Sequence, residues 1–166
     1  MQLYIMRHAI AALREKWNGP DGDRPLTRAG RARMRQAARG LRRLGVRFDV
    51  IMASPLVRAI QTAEIVAQEF KHRAPVEICP ALAPGLHPES LFNFIGAFPN
   101  ARRVLLVGHE PDLGNLVLHL VGGAHADRLP MRKGAVVRVD LDGTPPGGPG
   151  TLVWALTPRI LRTMAS

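Results

Sequence analysis

Arg7 and His8 directly follow the apolar run Leu3-Tyr4-Ile5-Met6, His109 follows Val104-Leu105-Leu106-Val107-Gly108, and Arg58 lies four residues beyond Ser54 in a Ser54-Pro55 pair. Two guanidinium groups and two imidazoles suit the handling of a phosphoryl group. Its charge is spread over several oxygens, and its transfer asks for positioning and positive donors more than for elaborate covalent chemistry. Arg7 and Arg58 stay charged at any working pH and present planar forks that match phosphate oxygens. Nearby cations also disfavour a positive charge on an imidazole. His8 could then attack phosphorus through one ring nitrogen, provided that the other donates its proton to a fixed acceptor such as a backbone carbonyl. His109, facing a bound dianion, would gain a proton and hydrogen-bond to it.

Each residue also has an ordinary alternative. A histidine after a strand is commonly packed or on the surface, and an arginine on a helix commonly forms a salt bridge. Ser54 reads as a helix cap, because no acid, base and serine arrangement accompanies it. Thr27 and Gly30 read as structural. His72, His119 and His125 are expected on the surface or in the core; His87 is too, with lining of the site as its alternative.

The elements that must position these residues are legible in outline. A buried strand over residues 2–6 is followed by a loop rich in turn formers through Asn18, Gly19, Pro20, Asp21, Gly22 and Asp23, expected to be mobile. Thr27 can cap a helix to about Leu44, with Ala29, Ala37, Leu41 and Leu44 on its inner face. A strand over Phe48–Ala53 follows, then a helix capped by Ser54, with Pro55 at its first position, running to Phe70. After an apolar segment at Val76–Ile78 and a loop at Ala81–Pro88, a helix is expected over Glu89–Ala97. The run Arg103–Val107 has the pattern of a strand covered on both faces. Pro111 starts a helix with Leu113, Leu116, Val117 and Leu120 inward, and two strands at Ala135–Leu141 and Thr151–Leu156 are joined by a Gly/Pro-rich hairpin connection. Strands alternating with helices imply an α/β sandwich on a mostly parallel sheet, whose ligands bind beyond the carboxyl ends of the strands. Arg7, His8 and His109 stand at such ends, and Arg58 in the first turn of the next helix.

The segments Met6-Arg7-His8-Ala9, Arg24-Pro25-Leu26-Thr27-Arg28-Ala29-Gly30, Ser54-Pro55-Leu56-Val57-Arg58-Ala59-Ile60-Gln61-Thr62-Ala63 and Val107-Gly108-His109-Glu110-Pro111 closely resemble, in this order and spacing, the histidine phosphatase superfamily. The short length and the Arg-His-Ala start resemble its SixA-like phosphohistidine phosphatases, over nearly the whole chain. The resemblance implies a three-layer α/β/α sandwich of the phosphoglycerate mutase type. It further implies a metal-independent phosphatase without cofactor, with His8 as nucleophile and Arg7, Arg58 and His109 completing a catalytic, phosphate-binding pocket.

Many members of the superfamily carry an acidic residue between the second and third motifs to protonate the leaving oxygen. Here that region reads Pro80-Ala81-Leu82-Ala83-Pro84-Gly85-Leu86-His87-Pro88-Glu89, with no carboxylate in its Leu-Ala-Pro part. Glu89 is one candidate donor, and Asp21 or Asp23 on the preceding loop are others. An alkoxide leaving group needs such a proton; the imidazole released from phosphohistidine needs less help. The expected function is removal of phosphate from a protein phosphohistidine through phospho-His8. The alternative is a phosphatase for small phosphate esters.

Composition bounds the rest. The 166 residues suit one domain over 1–166, and 46% hydrophobic content is ordinary for a soluble protein. No run is long and apolar enough to span a bilayer. The first residues lack a basic start and a cleavage site, and the single cysteine, Cys79, reads as a core residue that agrees with a reducing compartment. A cytoplasmic protein without membrane partners is the expectation. The net charge of +10 favours anionic partners. The arginines from Arg28 to Arg47 spread around a helix as a solvated face, however, and 5% aromatic content with no recognisable motif argues against nucleic acid. Six histidines without HExxH spacing argue against a metal site.

Overall fold

The computed structural model describes residues 1–122 and 129–165; His125 lies outside the described residues. Six strands form one sheet: β1 Gln2–Arg7, β2 Val50–Ala53, β3 Glu77–Ile78, β4 Arg103–Gly108, β5 Val136–Asp140 and β6 Thr151–Leu156, in the order β3-β2-β4-β1-β5-β6. The pairs β1–β4, β2–β4 and β2–β3 are parallel, whereas β5 runs antiparallel to both β1 and β6. The helices are α1 Arg28–Arg43, α2 Val57–Phe70, α3 Pro88–Gly96, α4 Asp112–Leu120 and α5 Pro158–Thr163.

Side chains alternate across each strand, and this alternation divides the apolar residues between two cores. Tyr4, Met6, Leu105 and Val107 face α1, α2 and α5. Leu3, Ile5, Val104 and Leu106 face α3 and α4. Two-sided burial explains why β1 and β4 read as unbroken apolar runs, and the result is the expected α/β/α sandwich on a mostly parallel sheet.

Several boundaries differ from expectation. Ser54 does not cap α2: the helix begins at Val57 with Leu56 as its cap residue, which makes no side-chain cap bond. Thr27 does cap α1, its hydroxyl accepting from the Gly30 N–H at 2.9 Å. On α1 the inner face is formed by Gly30, Met34, Ala37, Ala38, Gly40 and Leu41, while Ala29 and Leu44 are exposed. The strand expected from Phe48 begins at Val50, with Phe48 packed in the core beside Tyr4 and Phe70. Pro111 is the cap residue of α4 and not its first residue. The stretch expected to be a mobile loop contains 3-10 turns at Arg14–Lys16 and Asp21–Asp23, and the short α5 has no counterpart in the expectation.

Candidate active site

The strand register brings the two histidines together. Arg7 on β1 pairs with Gly108 on β4, and the His8 N–H donates to the Gly108 carbonyl at 3.0 Å, so the sheet ends with His8 and His109 side by side. Their ring centroids are 5.2 Å apart at 53°. Next along the edge, β2 ends at Ala53 opposite Val107, and the Ser54 N–H donates to the Val107 carbonyl at 2.9 Å. Its hydroxyl then meets His109 Nε2 at 2.7 Å. Ser54 is therefore a site residue that the cap reading missed, although it lies inside one of the motifs.

His8 Nδ1 lies 2.7 Å from the Ala9 carbonyl. Since a carbonyl only accepts, Nδ1 carries the proton, and Nε2 keeps its lone pair. The Ala9 N–H is held in turn by the Thr62 hydroxyl at 3.0 Å, and that hydroxyl donates to the Arg58 carbonyl one helical turn back, at 2.6 Å. Thr62 thus ties the His8 turn to the helix that carries Arg58. A helical serine or threonine four residues after a site arginine was the signal available for it.

The Arg24–Gly30 motif acts as a clamp on the same loop. Arg24 donates to the Ala12 carbonyl at 2.7 Å, the Thr27 N–H to the Ile10 carbonyl at 3.0 Å, and the Leu26 N–H to the Gln61 side chain on α2 at 2.8 Å. At Gly30 a Cβ would stand 2.1 Å from the Ile10 carbonyl oxygen, so α1 can start against this loop only without a side chain there.

Arg7 donates to the Met131 carbonyl at 2.7 Å. Arg58 donates to the Asp21 carbonyl at 2.8 Å and pairs with its carboxylate at 3.0 Å. Among the described residues, four buried side-chain polar atoms have no hydrogen-bond partner, and Arg7 Nε, Arg58 Nε and His109 Nδ1 are three of them. Buried donors of this kind are costly unless a function uses them. Their concentration on the three residues around His8 is an arrangement that could hold an oxyanion.

Burial is the main cause that lowers His8 to about 3, with smaller pushes from His109, Arg58 and Arg7 against the Ala9 hydrogen bond. His109 falls to about 4, first by burial and then by Arg58, with Asp112 and Asp21 opposing. Pushed this far below the ordinary imidazole range, both rings favour the neutral form at physiological pH. Although burial raises the Asp21 carboxyl, Arg58 and Arg24 together hold it below the ordinary carboxylate range.

Of the three candidate proton donors, the structure joins only Asp21 to the site. Asp23 and Glu89 are exposed and make no side-chain bond to Arg7, His8, Arg58 or His109. His87 is exposed at the start of α3, His119 is exposed on α4, and His72 is half-buried after α2. Cys79 is fully buried, and burial raises its thiol, in keeping with a core residue. No three His, Cys, Asp or Glu side chains cluster as metal ligands among the described residues.

Fold and site together define an α/β protein with two arginines and two histidines gathered at the carboxyl edge of its parallel strands. The family described as Histidine phosphatase superfamily (branch 1) matches residues 3–83. The phosphohistidine phosphatase SixA of Escherichia coli is 33% identical over 165 residues, covering 98% of this chain and 97% of that protein. An uncharacterized protein of Picosynechococcus sp. is 40% identical over 144 residues, covering 82% of this chain and 83% of its own length. The structure of the protein histidine phosphatase SixA complexed with tungstate superposes with a TM-score of 0.84 at 31% identity, covering 97% of this chain and 99% of that one. The chain belongs to the histidine phosphatase superfamily, among its SixA-like members, and is a phosphatase acting on phosphorylated substrates. No helix among the described residues is long and apolar enough to cross a membrane.

Proposed function

We propose that this chain removes phosphate from a phosphohistidine on a protein, by transfer to His8 and then to water. The observation that carries the reading is the 2.7 Å contact between His8 Nδ1 and the Ala9 carbonyl, which leaves Nε2 as a neutral nucleophile beside Arg7, Arg58 and His109. The Nε2 lone pair forms a bond to phosphorus while the P–N bond of the substrate, whose ring carries a proton on its other nitrogen, breaks and its electrons leave with the departing neutral imidazole. Arg7, Arg58 and a protonated His109 hold the oxygens during transfer. Water then attacks phosphorus, the P–Nε2 bond breaks with its electrons returning to Nε2, and both water protons leave with the phosphate, restoring neutral His8. The chain's own cations supply the electrophilic assistance, and no metal is assigned a role.

The substrate class is supported by how little the described carboxylates offer as a proton donor. Asp23 and Glu89 stand outside the pocket, and Asp21 is ionised against Arg58, so a proton for an alkoxide is hard to supply. A phosphoramidate makes a smaller demand. The specific observation favouring the ester reading is the same Asp21–Arg58 contact, which places one carboxylate at the site.

The test compares kcat/KM on a phosphohistidine peptide and on glycerol phosphate, for the native chain and Asp21→Asn. A large preference for the peptide, unaltered by Asp21→Asn, is expected. A preference for the ester that Asp21→Asn abolishes would overturn the reading. His8→Ala should remove both turnover and the acid-labile phosphate trapped on the enzyme; acid-labile phosphate accumulating on that variant would refute the nucleophile assignment. Activity lost with chelator and restored by zinc or manganese would refute the metal-free reading.

A further inference from the structure

Cations that the phosphate site does not use collect beside it. A groove of about 640 Å³ extends from Arg7 and Ala9, the neighbours of His8, between α1, the segment leading into β5, and α5. That volume falls within the roughly 300–1,000 Å³ usual for a built binding site. Arg33, Arg132, Lys133, Arg159 and Arg162 line it, and among the described residues no carboxylate does. None of these five side chains forms an ion pair among the described residues. Ile10, Met34 and Pro158 supply apolar surface between them.

Lys133 joins groove and pocket. Burial pushes its ammonium below the ordinary lysine range, and so do Arg7, Arg24 and Arg58. The positive field of the phosphate pocket therefore continues into the groove, where no ion pair among the described residues neutralises it.

We propose that this groove docks an acidic segment of the phosphorylated protein, the stretch of chain that flanks the phosphorylated side chain seated at His8. The proposal rests on the reading that the substrate is a protein. The cations come from α1, from the approach to β5 and from α5, a spread that suits an extended chain with several carboxylates better than the one further charge of a small ester. Single-stranded nucleic acid is the weaker fit, because such grooves stack bases on aromatic side chains and none of the lining residues is aromatic. Acidic residues alternating with aliphatic ones match both the charges and the apolar surface.

Two peptides bearing one phosphohistidine, flanked by Glu and Leu or by Ser and Leu, test the assignment, with p-nitrophenyl phosphate as a substrate too small to reach the groove. The full chain is compared with the combined variant Arg132→Ala, Arg159→Ala, Arg162→Ala and with the same positions changed to Lys. In the alanine variant, KM for the acidic peptide should rise about tenfold with kcat kept, an effect that added salt reduces and lysine largely restores. The neutral peptide and p-nitrophenyl phosphate should be unaffected. Equal losses on both peptides, a parallel loss on the small substrate, or no change on the acidic peptide would overturn the proposal.

Anisotropy of a fluorescent, unphosphorylated acidic peptide separates this proposal from the function it rests on. If the phosphohistidine peptides are not turned over but p-nitrophenyl phosphate is, the proposed substrate class fails. The groove assignment then stands only if the labelled peptide binds the native chain and not the alanine variant. A single-stranded oligonucleotide of equal charge that binds more tightly than the peptide would overturn it in favour of nucleic acid.

Discussion

Ser54 is fully buried, and its hydroxyl lies 2.7 Å from His109 Nε2. With that nitrogen occupied, the second ring nitrogen, Nδ1, is the one left to meet an oxyanion. Ser54→Ala would leave a buried imidazole nitrogen without its partner, a change that costs about 1–3 kcal/mol. Urea denaturation should show that loss, and phosphoryl transfer should slow because the ring is no longer held at one angle. A variant as stable and as active as the native chain would remove Ser54 from the site. The residue also shows where sequence reading stops. Ser-Pro before an apolar helical pattern is a sound cap signal, but the sheet register, invisible in one dimension, turns the same hydroxyl toward a histidine 55 positions away.

At the scale of elements, the loop bearing His8 is held by α1 and α2 and not by its own turn chemistry. Gly30→Ala would drive a methyl group into the Ile10 carbonyl, and backbone, unlike a flexible side chain, cannot rotate away. Overpacking of this kind costs about 1–3 kcal/mol. Here the displacement should also reach the His8 turn, lowering kcat as well as thermal stability. Thr62→Val keeps the shape and removes the acceptor for the Ala9 N–H, so kcat should fall with little change in KM; steady-state kinetics on the variant checks this.

The elements most legible in the sequence were those with two-sided burial or a full amphipathic face: β1, β4 and the long α1 and α2. Their ends carry Arg7, His8, Arg58 and His109, but position alone left each with an ordinary alternative; it is the resemblance of the four motifs to the superfamily that singles these residues out. Helix α5, at six residues, is too short for periodicity to register, although Thr157 caps it through the Ile160 N–H. The turn at Asp21–Asp23 looks like a free loop because its anchors, Arg24 and Arg58, are side chains, one of them far along the chain.

For the molecule as a whole, the two depressed imidazoles link folding to pH. Each ring takes up a proton near 6.5 when unfolded, but only near 3 for His8 and near 4 for His109 when folded. Between those limits the unfolded chain binds more protons, so stability is full above about pH 6.5 and declines as pH falls, by up to ~1.4 kcal/mol per pH unit for each ring. Denaturation midpoints measured from pH 7 to 4 should follow that slope, and His109→Gln should make it shallower by about the share of one ring. A bound dianion adds a third partner. It neutralises the field of Arg7 and Arg58 and offers an acceptor to His109, so the His109 pKa rises on binding, and a rise past the working pH brings a proton in with the anion. Calorimetry with tungstate at pH 7, in buffers of different ionisation enthalpy, should show uptake approaching about one proton per site, lost in His109→Gln. Binding without proton uptake in the native chain would mean that His109 meets the anion as a neutral ring, and the partition of charge proposed for the transfer step would fail with it.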